Sequence, residues 1–559
     1  MGRMAQPGVE RQKIAYFTME IALSSEIHTY SGGLGVLAGD VVRSSADLNI
    51  PLVAVTLVSK KGYFRQELTG EGRQIEHPDP WNPSRFMQQL PEEVTVEIQG
   101  RDVRIKAWLY TVKSASGWEV PVYFLDTDVD GNRPVDREIT SFLYGGDEEY
   151  RLKQEIVLGV GGVRMLEKLN VAAHKYHMNE GHSSLLALEL LRKTEMNISR
   201  VRSLCVFTTH TPVEAAHDKF PYGLVQETLG DFIPLNILKS LGGEERLNMT
   251  LLALNLSNYV NGVAKRHGKV SREMFPSYEI HAITNGVHSY TWTCESFKTL
   301  YDKYLPGWAH EPELLMRIDV VPDDEIWLAH TAAKKKLIDY VNESTRIGMD
   351  YETLTIGFAR RATEYKRHTL IFSDPERLRR VGRRGGIQLV FAGKAHPRDY
   401  LGKKMIEELF RYGEMFRGEM KIAYLENYDM NMAAKLVSGV DVWLNTPLPP
   451  MEASGTSGMK AAHNGVINFS VLDGWWVEGW IEGVTGWAIG PAPEEQVSPE
   501  ERRNRELDDL YGKLEYVIIP LYYKRRDEWR KMMKNSIGKI ASYFNSHRMM
   551  HRYVSEAYL

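Results

Sequence analysis

"LTIGFA" (354–359), "IQLVFAG" (387–393), "KIAYLEN" (421–427), "VDVWLNT" (440–446) and "GVINFSVLDG" (465–474) are short apolar runs rich in β-branched residues. Between them lie "YKRHTLIFSDPERLRRV" (365–381), "KKMIEELFRYG" (403–413) and "MNMAAKLVSG" (430–439), whose apolar residues recur at helical spacing. Strands that are apolar throughout, separated by amphipathic helices, predict a parallel sheet covered on both faces. This is a doubly wound α/β domain, which binds ligands outside the carboxyl ends of its strands. One such end carries "MEASGTSGMKAAHNG" (451–465), a loop of small residues around Lys460 at the start of a short helix.

The first half of the chain has the same grammar with larger insertions. "KIAYFTME" (13–20) reads as a strand, "SGGLGVLAGD" (31–40) as a second glycine-rich loop entering a helix, and "PLVAVTLV" (51–58) as the next strand. "SLCVFTTHTP" (203–212) and "HAITNGVHSY" (281–290) read as strands running into polar loops. The crossing between halves is expected around residues 336 to 352, and two such domains facing each other make a cleft suited to a small ligand. The basic segment 522–554 reads as helical, solvated or bridging the domains in preference to a binding surface.

The 559 residues exceed what one hydrophobic core holds. A formal net charge of −4 gives no reason to expect a nucleic acid or an anionic membrane as partner. Cys205 and Cys294 are too few for a disulfide framework, which points to a reducing, cytoplasmic setting, and neither has metal-ligand spacing. The N-terminal "MGRMAQPGVERQKIAYF" lacks the apolar run of a signal peptide, and no later run is expected to span a bilayer. No H-E-x-x-H or equivalent spacing occurs, so no metal is expected.

Four constellations carry chemistry. The loop around Lys460 is not a nucleoside-triphosphate loop, because Gly455 and Gly458 are too close and Ala461 follows the lysine. A lysine desolvated among small residues becomes nucleophilic enough to anchor a carbonyl cofactor such as pyridoxal phosphate, while nearby N–H groups and hydroxyls hold a phosphate; an exposed lysine on a glycine-rich turn is the plain alternative. In "FARRATEYKRH" (358–368), Arg360, Arg361, Lys366 and Arg367 follow a strand directly and suit phosphate dianions, against the alternative of a solvated charged face. "YSGGLGVLAGD" (30–40) offers Gly32, Gly33 and Gly35 to a ligand or simply to tight packing. Finally "HMNEGHS" (177–183), "FTTHTPVEAAHD" (207–218) and "ITNGVHSYTW" (283–292) place Asn179, Glu180, His182, His210 and Asn285 at strand ends, where they suit sugar hydroxyls or serve the structure.

"EASGTSGMK" followed by "NG", "LDG" and "VEG" resembles the pyridoxal-phosphate segment of the glycogen, starch and maltodextrin phosphorylases. "SGGLG", "GDEEYRLKQE", "ITNGV", "RRATEYKR", "FAGKAHP" and "YLENYDMNMAAK" resemble that family's segments in the same order, from about Ile14 to Trp480. The resemblance implies two facing Rossmann-like domains of glycosyltransferase-B type, with the active site in the cleft between them. It implies an N-terminal domain over 1–340, a C-terminal domain over 341–535 and a terminal helix over 536–559 that packs back on the first domain. The implied reaction is reversible phosphorolysis of α-1,4-glucan to glucose 1-phosphate with retention, by a homodimer, with the cofactor's phosphate working in proton transfer.

By resemblance Lys460 carries the cofactor, with Thr456, Ser457, Arg360, Gly33 and Tyr428 beside it. Arg361 and Lys366 bind the substrate phosphate, helped by the backbone at Gly33. Glu452, Ser454, Gly455, Asn285, His210, Tyr365 and Gly35 serve the glucosyl unit, and Lys460, Arg361, Lys366 and His210 form the catalytic set. Gly458, Asp429 and the "NEGHS" stretch depart from the family's pattern. The chain starts almost at its first strand, so control through an N-terminal regulatory segment is not expected. A nucleotide-sugar glycosyltransferase such as a glycogen synthase is the nearest rival, but it needs neither the lysine nor the cofactor. A catalytically silent glucan-binding protein predicts lost phosphate or cofactor groups, and an aminotransferase leaves the carbohydrate loops unexplained.

Overall fold

The computed structural model describes residues 12–559; the N-terminal segment weighed above as a leader lies mostly outside them. Among the described residues two large sheets dominate. The first joins β1 (Lys13–Thr18), β2 (Leu52–Leu57), β3 (Gln88–Ile98), β4 (Arg101–Lys113), β5 (Glu119–Asp126), β6 (Ala173–Asn179), β7 (Cys205–Thr208), β8 (Tyr259–Gly262) and β9 (His281–Ala282). Its order is β9-β8-β7-β6-β1-β2-β5-β4-β3, parallel from β9 through β5 and antiparallel beyond. The second joins β10 (Leu354–Ala359), β11 (Ile387–Ala392), β12 (Lys421–Leu425), β13 (Val442–Asn445), β14 (Ile467–Val471) and β15 (Gly486–Ile489).

The second sheet is wholly parallel, in the order β12-β11-β10-β13-β14-β15. The chain winds outward from β10 to β12, then returns to β13 on the other side, so the order reverses between β10 and β13. Ligands of doubly wound sheets bind at such a reversal, beyond the carboxyl ends. Arg360 and Arg361 follow β10, and the loop to Lys460 follows β13. β10, β11 and β13 are buried at every position, which explains their unbroken apolar runs. The first sheet reverses between β1 and β6, whose ends lead to Glu20 and Glu180.

Four helices position the site: α1 (Gly33–Asp47), α2 (Asp323–Thr345), α3 (Ser457–Ala462) and α4 (Ser546–Tyr553). The expected crossing is the last turns of α2 and the stretch after it, which leads into β10. The 365–381 segment is not one helix: short 3₁₀ turns at Glu364–Lys366 and Leu370–Phe372 precede a helix at Pro375–Gly385. Pro375 sets that start, because proline fits the first helical turn and Asp374 caps it by accepting from the Arg377 N–H. The 281–290 segment is extended only at His281–Ala282. The basic C-terminal stretch is largely buried, and Ser546 on α4 meets Ser44 on α1 at 2.5 Å.

The two halves share packing. Ala22, Val36 and Trp292 lie in the same apolar core as Met459, Trp475 and Phe544. The hairpin Arg65–Leu68/Gln74–His77 reaches the second sheet through Gln66 and Gln74, whose amides donate to the carbonyls of Gly393 (2.9 Å) and Ala395 (2.8 Å).

Candidate active site

The loop after β13 is held from below. The Trp475 N–H donates to the Ser454 carbonyl at 2.9 Å, and the Glu452 N–H donates to Asp473 Oδ2 at 2.9 Å. α3 then begins at Ser457, whose Oγ accepts from the Trp443 indole at 2.9 Å, with Thr456 in the capping position. A Cβ at Gly458 would collide with Asn468 Oδ1, and the Asn468 amide donates to the Gly458 carbonyl at 3.0 Å. The departure at Gly458 therefore has a physical reason: an asparagine on β14 occupies the space a longer side chain would need.

Lys460 is buried on α3, with its ammonium 4.1 Å from the centre of the Trp292 ring. Burial lowers its pKa from the ordinary 10.5 to about 8; Asp40 supports the charge and Arg43 opposes it. Asp40 accepts from the Trp292 indole at 2.9 Å, so α1 reaches the lysine through that ring. A tenth or so of such a lysine is neutral at pH 7, the form able to attack a carbonyl.

At the end of β10, Arg360 Nη2 and Lys366 Nζ both donate to Glu452 Oε2, each at 2.6 Å. Burial pushes the Glu452 carboxyl up, but Arg360 and Lys366 outweigh it and hold the pKa at about 2. Arg360 keeps its Nε and Nη1 buried without a partner, so the guanidinium retains donors that an anion would satisfy. Arg361 is exposed, and Lys366 also lies over the Tyr365 ring at 4.4 Å. Arg367 stands apart from this group: it is tied to the Thr446 and Pro447 carbonyls and to Glu506. Tyr428 is half-buried beside Arg360 and Asp429, and burial raises its pKa. Asp429 caps the helix that follows by accepting from the Met432 N–H at 2.8 Å.

The first-sheet residues gather around two buried carboxylates. Glu20 accepts from the N–H groups of Ser31 (2.6 Å) and Gly32 (3.2 Å) and from the Tyr144 hydroxyl (3.0 Å). Gly35 follows Gly33 on the first turn of α1, and a Cβ there would lie 2.7 Å from Glu20 Oε2. The glycine-rich entry to α1 is thus shaped for an anionic oxygen, and Glu20 is that oxygen here. Glu180 accepts from the N–H of His210 (2.8 Å) and the hydroxyl of Thr211 (2.9 Å), which makes it a brace for the His210 loop. His210 Nε2 donates to Asn179 Oδ1 at 2.6 Å, and burial lowers its pKa to about 3, so the ring is neutral with Nδ1 left as an acceptor. His182 Nε2 lies 3.6 Å from Asp218 Oδ2. Asn285 has its carbonyl bonded by Arg548 at 3.0 Å, while its buried Oδ1 has no partner.

The structure thus joins Arg360, Lys366, Tyr365 and Glu452 directly, and links Lys460 to α1 through Trp292. His210 and Asn285 share no hydrogen bond with that group. A cavity of about 1050 Å³ along β12 contains none of the predicted residues. Sequence reasoning missed Glu20, Asp40, Trp292 and Asn468. Asp40 was the most visible of them: it interrupts the apolar run "GVLAGDVV", where a lone carboxylate needs a buried partner.

A buried lysine of lowered pKa and an anion-seeking cationic cluster, both at the reversal of a parallel sheet, define an α/β enzyme acting on a phosphate-bearing ligand. The family model for carbohydrate phosphorylases matches residues 234–484. The maltodextrin phosphorylase of Thermococcus litoralis is 41% identical, covering 98% of this chain and 70% of its own. The glycogen phosphorylase of Aquifex aeolicus is 38% identical over 98% of this chain and 86% of its own, and that of Mycobacterium tuberculosis 37% over 98% and 70%. The chain belongs to the carbohydrate phosphorylase family. Among the described residues no helix is long and apolar enough to cross a membrane.

Proposed function

We propose that this chain is an α-1,4-glucan phosphorylase that uses inorganic phosphate to cleave glycogen or maltodextrin reversibly, giving α-D-glucose 1-phosphate with retention. Relatives with these activities in their names, similar over nearly the whole chain, support the reaction class. The strand reversals support a cleft between two facing Rossmann-like domains, 1–340 and 341–535, with 536–559 returning to the first. The observation that carries the reading is Arg360: two buried guanidinium nitrogens without partners stand beside a loop that presents a lysine of lowered pKa.

The residues present fit pyridoxal 5′-phosphate: a largely desolvated lysine, a cradle of small residues, and cations with free donors. When bound, the cofactor supplies a phosphate with a second pKa near 6, able to hold or pass a proton at neutral pH. Lys460 anchors it, while Thr456, Ser457, Arg360, Tyr428 and Gly33 hold its polar groups. Arg361 and Lys366 bind the substrate phosphate and offset the repulsion between two anions placed close together. Glu452 keeps Arg360 and Lys366 together before substrate arrives and, with Ser454, Gly455, Tyr365, Gly35, His210 and Asn285, orients the glucosyl hydroxyls. The neutral His210 ring, with Nδ1 as an acceptor, suits a hydroxyl donor. On the resemblance, the protein works as a homodimer in the cytoplasm.

The test is incubation of the purified protein with maltodextrin and phosphate, with the product's anomeric configuration read by NMR. Release of α-D-glucose 1-phosphate is expected. Absence of phosphorolysis together with glucosyl transfer from a sugar nucleotide would refute the proposal.

A further inference from the structure

Asn285, assigned above to the glucosyl hydroxyls, sits on a loop whose backbone is held from several sides. Its N–H donates to the Val263 carbonyl at 3.0 Å, just beyond β8. One residue earlier, Thr284 Oγ1 lies 2.9 Å from each carboxylate oxygen of Glu478, in the second half of the chain. Two residues later, the Val287 N–H donates to the Phe544 carbonyl at 3.2 Å, and the Val287 carbonyl accepts from the Ser546 N–H at 2.9 Å. The C-terminal segment comes so close that a Cβ on Gly286 would lie 2.1 Å from the Asn545 carbonyl oxygen, an approach only glycine permits.

The remaining hold is Arg548. Asn545 caps α4 by accepting from the Arg548 N–H at 2.8 Å, which fixes this residue in the first turn of the helix. Its guanidinium then spans two successive carbonyls of the loop: Nη1 donates to Thr284 at 2.8 Å and Nη2 to Asn285 at 3.0 Å. Nε donates to the Tyr543 carbonyl at 2.9 Å, and the group lies 4.8 Å from the centre of the Tyr543 ring. These bonds go to carbonyl oxygens rather than to a carboxylate, so backbone dipoles and a ring face match the half-buried charge. A rigid guanidinium fork sets the spacing of two acceptors, which the single ammonium of a lysine does not. With the N–H and the carbonyl of Asn285 both committed, its backbone directs the side chain, and its buried Oδ1 is left for a ligand.

We propose that Arg548 is a positioning residue of the glucosyl subsite: it fixes the backbone at Asn285 so that the side-chain amide meets a sugar hydroxyl, and it makes the C-terminal segment part of that subsite. Its hydrogen bonds lead to Thr284, Asn285 and Tyr543, away from Lys460 and from the cations around Glu452, so its effect belongs to the glucan and not to phosphate or cofactor. Arg548 lies beyond the segments that resemble the phosphorylases, which end near Trp480. The inference rests on the glucan reading and deepens it.

The experiment is a double-mutant cycle on the full-length protein loaded with pyridoxal phosphate. The parent, Arg548→Ala, Asn285→Ala and the double variant are assayed for phosphorolysis at varied maltodextrin and at varied phosphate. Arg548→Ala is expected to lower kcat/KM for maltodextrin about tenfold, with the KM for phosphate and the bound cofactor unchanged. In the Asn285→Ala background the same substitution is expected to cost less than about twofold, because the amide it orients is already gone. Losses that multiply in the double variant overturn the inference, as does a rise in the phosphate KM as large as the loss with maltodextrin. A parent that releases no glucose 1-phosphate overturns the glucan reading and this inference with it, whereas multiplying losses in an active parent overturn this inference alone. Should Arg548→Ala fail to fold, Arg548→Lys takes its place in the cycle, since it keeps the charge and loses the fork; parental kcat/KM in that variant also overturns the inference.

Discussion

Replacing Glu452 by glutamine removes the charge that holds Arg360 and Lys366 and nearly preserves the side chain's shape. The carboxyl has a pKa of about 2 against an ordinary 4.5. At about 1.36 kcal/mol per pH unit, the fold favours its ionised form by roughly 3 kcal/mol. A lowered acid pKa contributes stability that is fully present above 4.5 and lost as pH falls through 2, so at pH 7 the whole amount is at stake. In Glu452→Gln two buried cations face each other without their counter-charge, the arrangement that makes a broken buried pair costly. Inorganic phosphate at those cations is expected to restore about 2.7 kcal/mol when present at a hundred times its Kd. The assay is the thermal midpoint of both proteins, with and without phosphate. The variant is expected to melt lower alone and to gain more from phosphate than the parent. A variant as stable as the parent without phosphate, or a deficit that phosphate leaves unchanged, would refute the reasoning.

Arg361→Ala is expected to raise the phosphate concentration needed for half-maximal phosphorolysis at least tenfold, the loss of about 1.4 kcal/mol of binding, and unchanged phosphate kinetics would remove Arg361 from the site. Because burial lowers Lys460 to about 8, uptake of pyridoxal phosphate by the cofactor-stripped protein should speed up with pH and level off above 8; a rate still climbing toward 10 would show an ordinary exposed lysine. Burial raises Asp473 from 3.8 to about 7, so this carboxyl withholds stability as pH rises through that window. Asp473→Asn, which mimics the protonated acid, should stabilise the protein by up to roughly 4 kcal/mol at pH 8 and hardly at all near pH 4; a gain of the same size at both would refute the assignment.

The second sheet was legible because its strands are buried on both faces, leaving runs such as Leu354–Ala359 and Ile387–Ala392 with no polar alternation to confuse. Where tertiary contacts decide, the reading was less accurate. The 365–381 stretch has helical periodicity, yet the chain breaks at Arg367, which adopts a left-handed conformation and bonds the Thr446 and Pro447 carbonyls. Lys460, Arg360, Lys366 and Glu452 stood out because charged residues among glycines or after an apolar strand need a reason to be there. Glu20 and Trp292 gave no such signal. Their roles come from partners that no spacing announces: Glu20 from the Ser31 and Gly32 N–H groups and the Tyr144 hydroxyl, and Trp292 from Asp40.

The most direct test of the account is borohydride reduction of the purified protein, followed by peptide mapping of the modified residue, with Lys460→Ala as the control. The account predicts one pyridoxyl group on Lys460, and a control that has lost both cofactor and phosphorolysis. Protein expressed with pyridoxal phosphate available that carries no cofactor, or carries it on another lysine, or a Lys460→Ala variant that still phosphorolyses maltodextrin, would contradict it.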